Sequence, residues 1–167
     1  MDEKLMHFKS EESYGKNFQA HLLEQYKVVR SAITDLQNDR NIHNNFYLVI
    51  LTGLVTVLGF SMKYLPTQNH LDLKFLLSFF FTILSILSIA ISVIWIRLNK
   101  SFKKALRVRY GFLKKYEVEL PSRPFTKEHK YRKKHGYLKV SDVAICLAYI
   151  FIMINFLFLI GLLIYIT

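Results

Sequence analysis

Three uncharged apolar runs, a polar arm with helical periodicity before the first, and a strongly basic segment before the last predict an all-α integral membrane protein. It would comprise three transmembrane helices plus amphipathic cytoplasmic helices and would be oligomeric. Hydrophobic residues make up 52% of the 167 residues, yet Lys and Arg number 23 against 12 Asp and Glu, a net charge of +11. High hydrophobicity and high charge coexist in one short chain only when they are segregated along it. The resulting divisions are a cytoplasmic N-terminal helical arm (1–45), spans at 46–64, 75–96 and 143–167, and a basic cytoplasmic segment (97–142).

Crossing ~30 Å of hydrocarbon takes roughly 20 helical residues. Phe75 to Ile96 supplies 22 residues without a charge, and Val143 to Thr167 supplies 25. Phe46 to Met62 is shorter but equally uncharged, with Lys63 and Tyr64 placed to reach the interface. The first 45 residues lack the apolar core of a cleavable signal peptide, so the first span is expected to serve as its own insertion signal. The segment Leu98 to Asp142 holds 14 basic and 4 acidic residues, and the arm holds 6 and 7. Lys and Arg beside spans are retained in the cytoplasm, which predicts an inside N-terminus, an outside Pro66 loop and an outside C-terminus. Trp95 and Arg97 would then close the second span on the inner side, with Tyr64 and Tyr165 at the outer edge.

In the arm, Leu22, Tyr26, Val29, Ile33 and Leu36 are spaced 4, 3, 4, 3, the apolar seam of a helix that packs on another helix. With no Pro or Gly between Lys16 and Tyr47, that helix can run straight into the first span. The seam fits packing within one subunit or between subunits. In the basic segment, Phe102, Leu106, Tyr110, Leu113, Tyr116 and Leu120 share one helical face, and Lys103, Lys104, Arg107, Lys114 and Lys115 cluster on the other. Pro121 and Pro124 should end this helix. Lys127 to Lys139 reads as a basic loop.

No residues point to catalysis, so the chain is expected not to be an enzyme. His7, His21, His43, His70, His129 and His135 are scattered and form no HExxH, there is no Gly-rich phosphate loop, and no cofactor or metal site is expected. No ionisable side chain lies deep in a span, which argues against proton relays and coupled transport. Cys146, alone in the last span, reads as a small apolar residue. The polar side chains at depth are small and one-sided: Ser78, Thr82, Ser85, Ser88 and Ser92 within an arc of about 120°, with Thr52, Thr56 and Gly59 on a face of the first span. Small faces permit close approach and interhelical hydrogen bonds, and the alternative is an aqueous path in an oligomer. Asn155, near mid-span, should bond to a neighbouring helix or to its own copy in another subunit. Three one-sided faces are more than a three-span monomer is expected to hide, so they predict homo-oligomerisation. The Lys103, Lys104, Arg107, Lys114 and Lys115 cluster is expected to contact anionic membrane lipids of the inner leaflet, where each charge gains ~1 kcal/mol. A purely topological role is the plainer alternative, and charge beside a span favours lipid over nucleic acid.

Leu120-Pro121-Ser122-Arg123-Pro124-Phe125-Thr126-Lys127-Glu128 forms an LPxxP-aromatic-xxE block after a Lys-rich helix ending near Glu117. Upstream stand Glu24-Gln25-Tyr26-Lys27, then Arg40, Asn44 and Phe46. Together these resemble the RipA family of octameric bacterial membrane proteins, whose founding member is a factor required for intracellular proliferation. The sequence departs from that family's usual Trp at His129 and usual Asn at Leu106. The resemblance covers about half of the chain. It implies a homo-oligomer, an octamer in that family, in the bacterial cytoplasmic (inner) membrane, without established catalytic activity. The alternative is a SLATT-like pore-forming membrane effector of a defence system. Such proteins also carry an amphipathic N-terminal helix before paired spans but typically lack a third span.

Overall fold

The computed structural model describes residues 14–63, 71–120 and 123–166, all side chains in them except those of residues 61–63, 71–74, 129, 132, 133, 165 and 166. Four helices account for nearly all of it: α1 (Phe18–Lys63), α2 (Leu71–Glu119), α3 (Pro124–Lys134) and α4 (Val140–Ile166). No strand occurs among the described residues. α1, α2 and α4 each contain a stretch long and apolar enough to cross a membrane, so the chain is a multi-pass membrane protein. Tyr64 and Pro66 lie outside the described residues.

Each helix boundary has a local cause. Gly15, at φ +93°, takes a conformation unfavourable for side-chain-bearing residues, and the Phe18 amide returns to its carbonyl at 3.1 Å to start α1. The arm and first span are then one helix of 46 residues. The second span and basic helix are likewise one helix of 49 residues, since nothing between Trp95 and Phe102 breaks helical geometry. α2 stops at Glu119, two residues before Pro121. Here the expected loop at Lys127–Lys139 is corrected: Pro124 does not merely end the preceding helix. It occupies the first turn of α3, where its missing N–H costs nothing. α3 closes with His135 as cap and Gly136 at φ +64°. α4 begins at Val140, earlier than the apolar run, with Asp142 in its first turn facing the positive end of the helix dipole.

The chain divides into two compact units. One gathers the arm up to Leu36 with Leu106–Tyr137; the other gathers Gln37–Ala105 with Leu138–Thr167. In the first, Leu22, Tyr26 and Ile33 of α1 pack on Leu106, Leu113 and Tyr116 of α2, with Val29, Leu36, Tyr110, Leu120 and Phe125 around them. Burying such side chains from water stabilises by about 1.5–3 kcal/mol each. In the second, Leu51, Trp95, Ile96, Ala144, Ala148 and Phe151 form one cluster and Leu58, Phe81 and Leu162 another. Between helices in lipid the hydrophobic effect supplies little, so close packing at Ala144 and Ala148 and polar bonds must hold this unit.

Candidate functional site

The polar groups of the span unit converge on Asn155, which is fully buried. Its amide Nδ2 donates to the Phe151 carbonyl at 2.8 Å and to Ser88 Oγ at 2.9 Å. Because a backbone carbonyl only accepts, the Phe151 contact sets the amide's orientation and turns Oδ1 towards Ser85, whose hydroxyl donates to it at 3.2 Å. Ser85 also lies 3.3 Å from the Asn155 carbonyl. One turn on, Ser92 Oγ donates to the Ser88 carbonyl at 2.9 Å, and Thr82 does the same to Ser78 at 2.8 Å. Ser78, Ser85, Ser88 and Ser92 are all 0–2% exposed, and Thr82 is half-buried. Ser78 Oγ is buried without a hydrogen-bond partner. The five-residue stripe of α2 therefore faces inward, and Ser85 and Ser88 bond to a neighbouring helix of the same chain.

A second polar cluster was not anticipated. Asn44 Oδ1 accepts the Trp95 indole N–H and Asn99 Nδ2, both at 2.9 Å. Asn99 Nδ2 also donates to the Trp95 carbonyl at 3.2 Å. An indole N–H can only donate, so it orients Asn44, and Asn44 in turn orients Asn99. The sequence reading put Trp95 at the membrane interface. Its ring is 1% exposed and meets other side chains, stacked on Tyr47 at 6.0 Å and set against Phe151 at 6.5 Å. Burial between helices is open to Trp95 because Asn44 satisfies its one polar atom. The available signal was Asn99, one helical turn after the only Trp.

Of the five basic residues, Lys103 is ion-paired with Asp142 at the start of α4. Lys104 and Arg107 are exposed, and Lys114 and Lys115 are half-buried. In the other unit, the Arg109 guanidinium donates to the Ala32 carbonyl, and Arg30 lies over the Phe125 ring at 5.6 Å. Glu117 is fully buried. Its carboxylate accepts the Phe125 and Thr126 amides at 2.8 and 2.9 Å and the Thr126 hydroxyl at 2.6 Å. It thus does the work of a missing N-cap side chain, since Arg123 makes no side-chain capping bond. The Tyr26 phenol is held above 10.0, chiefly by burial and then by the Glu117 carboxylate, with Arg30 opposing. Its contribution to stability is therefore present below pH 10 and lost as pH rises past that value.

All three faces that predicted association are used within one subunit: the Leu22 to Leu36 seam, the serine stripe and Asn155. These faces therefore do not by themselves require a second subunit, because long continuous helices bring their own partners alongside. Among the described residues no three His, Cys, Asp or Glu side chains gather as a metal site would require.

A family model described as the octameric membrane protein family (8xMP) matches residues 23–165. No curated protein and no solved structure matches the chain.

Proposed function

The chain belongs to the octameric membrane protein family, and on that premise we propose that it is a non-enzymatic, RipA-like homo-oligomer of the bacterial cytoplasmic membrane. It supports membrane or envelope function, with bearing on intracellular growth where its host has such a phase. Its basic residues lie on the cytoplasmic side and engage anionic lipid. The observation that carries this reading is the use of the deep polar groups. Ser85, Ser88 and Asn155 are spent on one another inside the subunit, so this stripe lends no surface to a conducting path and no group to a reaction. A pore built on the serine stripe would need such a surface.

Native mass spectrometry of the purified protein tests the assembly and the lipid contact together. The particle is expected at a multiple of 19.8 kDa, retaining anionic lipid. Changing Lys104, Arg107, Lys114 and Lys115 to Gln should strip that lipid and leave the multiple unchanged. Lys103 is spared because it holds Asp142. Lipid retained at the wild-type level in the Gln variant would leave these charges with a topological role alone.

The orientation has its own check. Reporter fusions at Met1 and Thr167 should read opposite sides of the membrane, with the N-terminus inside. Two cytoplasmic readings would mean that α4 does not cross.

A further inference from the structure

Spans two and three turn their polar residues inward and present large apolar side chains outward, as lipid-facing helices do. The first span leaves its small and polar positions outside beside large apolar ones. Its buried residues are Leu51 and Leu58, and its Thr52, Gly53, Thr56 and Gly59 are exposed. It is also the least covered: 11% of its most apolar stretch is buried, against 33% and 22% for the others. Two threonines and two glycines on its outward side also make that side less apolar than those of the other spans. A span with the most surface left over should be the most apolar if lipid covered that surface.

The exposed surface is ordered. Ile42, Phe46, Val49, Gly53, Thr56 and Phe60 are spaced 4, 3, 4, 3, 4 and fall within about 80° of one another on the helix. This is the spacing of a helix-packing seam. It lies opposite the seam that Leu51 and Leu58 already commit to the subunit's own core. Its four large side chains are 58–69% exposed. Thr56 Oγ1 donates to its own helix at the Thr52 carbonyl, 2.7 Å away, so its hydroxyl asks nothing of a neighbour. Gly53 opens a notch one heptad from Phe46 and one from Phe60, and a Cβ added there would meet nothing within 4 Å.

We propose that this outward seam of α1 is the surface on which a second copy of the chain docks. The occupant follows from membership of a family named for octameric assembly, so the inference rests on the oligomer proposed above. Copies inserted in one orientation can close into a ring only about an axis along the membrane normal. An eight-membered ring therefore uses a heterologous contact, with this seam on one copy and a different face of the next.

Gly53→Leu separates the possibilities. The subunit itself has room for the new side chain, and Leu favours a helix more than Gly does. If lipid covers the seam, the variant should keep its mass and its helicity. If a second copy covers it, Leu fills the notch, and the native-mass particle should fall from the multimer towards 19.8 kDa with unchanged circular dichroism. Ala90→Leu, on an exposed position of span two, serves as a matched change off the seam. Should Gly53→Leu fail to fold, a photoreactive benzoyl-phenylalanine at Phe46 or Phe60 decides, since it captures whatever lies against it. Covalent dimers are expected, and uncrosslinked multimer overturns the seam. A multimer that survives Gly53→Leu also sinks this surface alone, whereas a monomeric wild type sinks the oligomer reading itself.

Discussion

Asn155→Leu is expected to destabilise the subunit by about 2–4 kcal/mol. Three side-chain hydrogen bonds disappear: those to Ser88, to the Phe151 carbonyl and from Ser85. Two of them, with Ser85 and Ser88, cross between helices; such bonds average ~0.6 kcal/mol in membranes, so their loss alone is about 1. Leu must also fit a site where Asn155, Ser85 and Ser88 are each fully buried, and overpacking adds ~1–3 kcal/mol. Because the partners lie in the same chain, the loss should register in unfolding of the subunit, followed by circular dichroism during titration with a denaturing detergent. Thr82→Val is the comparison: its hydroxyl bonds only to its own helix at Ser78, so it should shift the midpoint little. Equal midpoints for Asn155→Leu and wild type would mean that the three bonds contribute nothing net to the packed spans.

Glu117→Ala is expected to cost about 2–4 kcal/mol in the other unit and to loosen α3. The carboxylate holds two backbone amides and one hydroxyl. Hydrogen bonds to a charged group contribute about 1.5–3 kcal/mol each, offset here by the cost of burying the charge. Removing it leaves the first amides of α3 without an acceptor while Phe125 stays packed on the unit's core. Glu117→Gln should do less harm, since its carbonyl oxygen still accepts one amide while its NH2 faces a donor. Thr126→Val, which removes only the hydroxyl, should cost about 1 kcal/mol. Hydrogen exchange read across Phe125–Lys134 should accelerate in that order, Ala first. Exchange in the Ala variant at the wild-type rate would show that α3 is held by its apolar contacts and not by its cap.

The same two sites mark where the sequence was legible. Both reside on helices whose faces could be read in advance, because periodicity is a local property. Spacing of 4 and 3 residues named Leu22, Tyr26, Ile33 and Leu36 as one seam, and the same arithmetic collected Ser78 to Ser92 and set Asn155 at mid-depth. The absence of Pro and Gly between Lys16 and Tyr47 foretold the continuity of α1. Charge segregation marked the three apolar stretches for the same reason: solvent preference is carried residue by residue.

What a face packs against is not carried that way. The Leu22 to Leu36 seam and the serine stripe suit a neighbouring subunit as well as their own chain, and only the tertiary structure assigned them to α2 and α4. That the Trp95 indole is buried with its N–H on Asn44, 51 residues away, could not be read from its own surroundings. α3 was missed because its composition is polar and its cap is no local Ser or Asp but Glu117, on the far side of Pro121. Local sequence by itself determined which surfaces are apolar and which helices continue, since each residue's transfer preference and dihedral freedom belong to it alone. The partners of Asn155, Asn44 and Glu117 were decided only by the tertiary structure, because a buried hydrogen bond needs two groups brought together by the path of the whole chain.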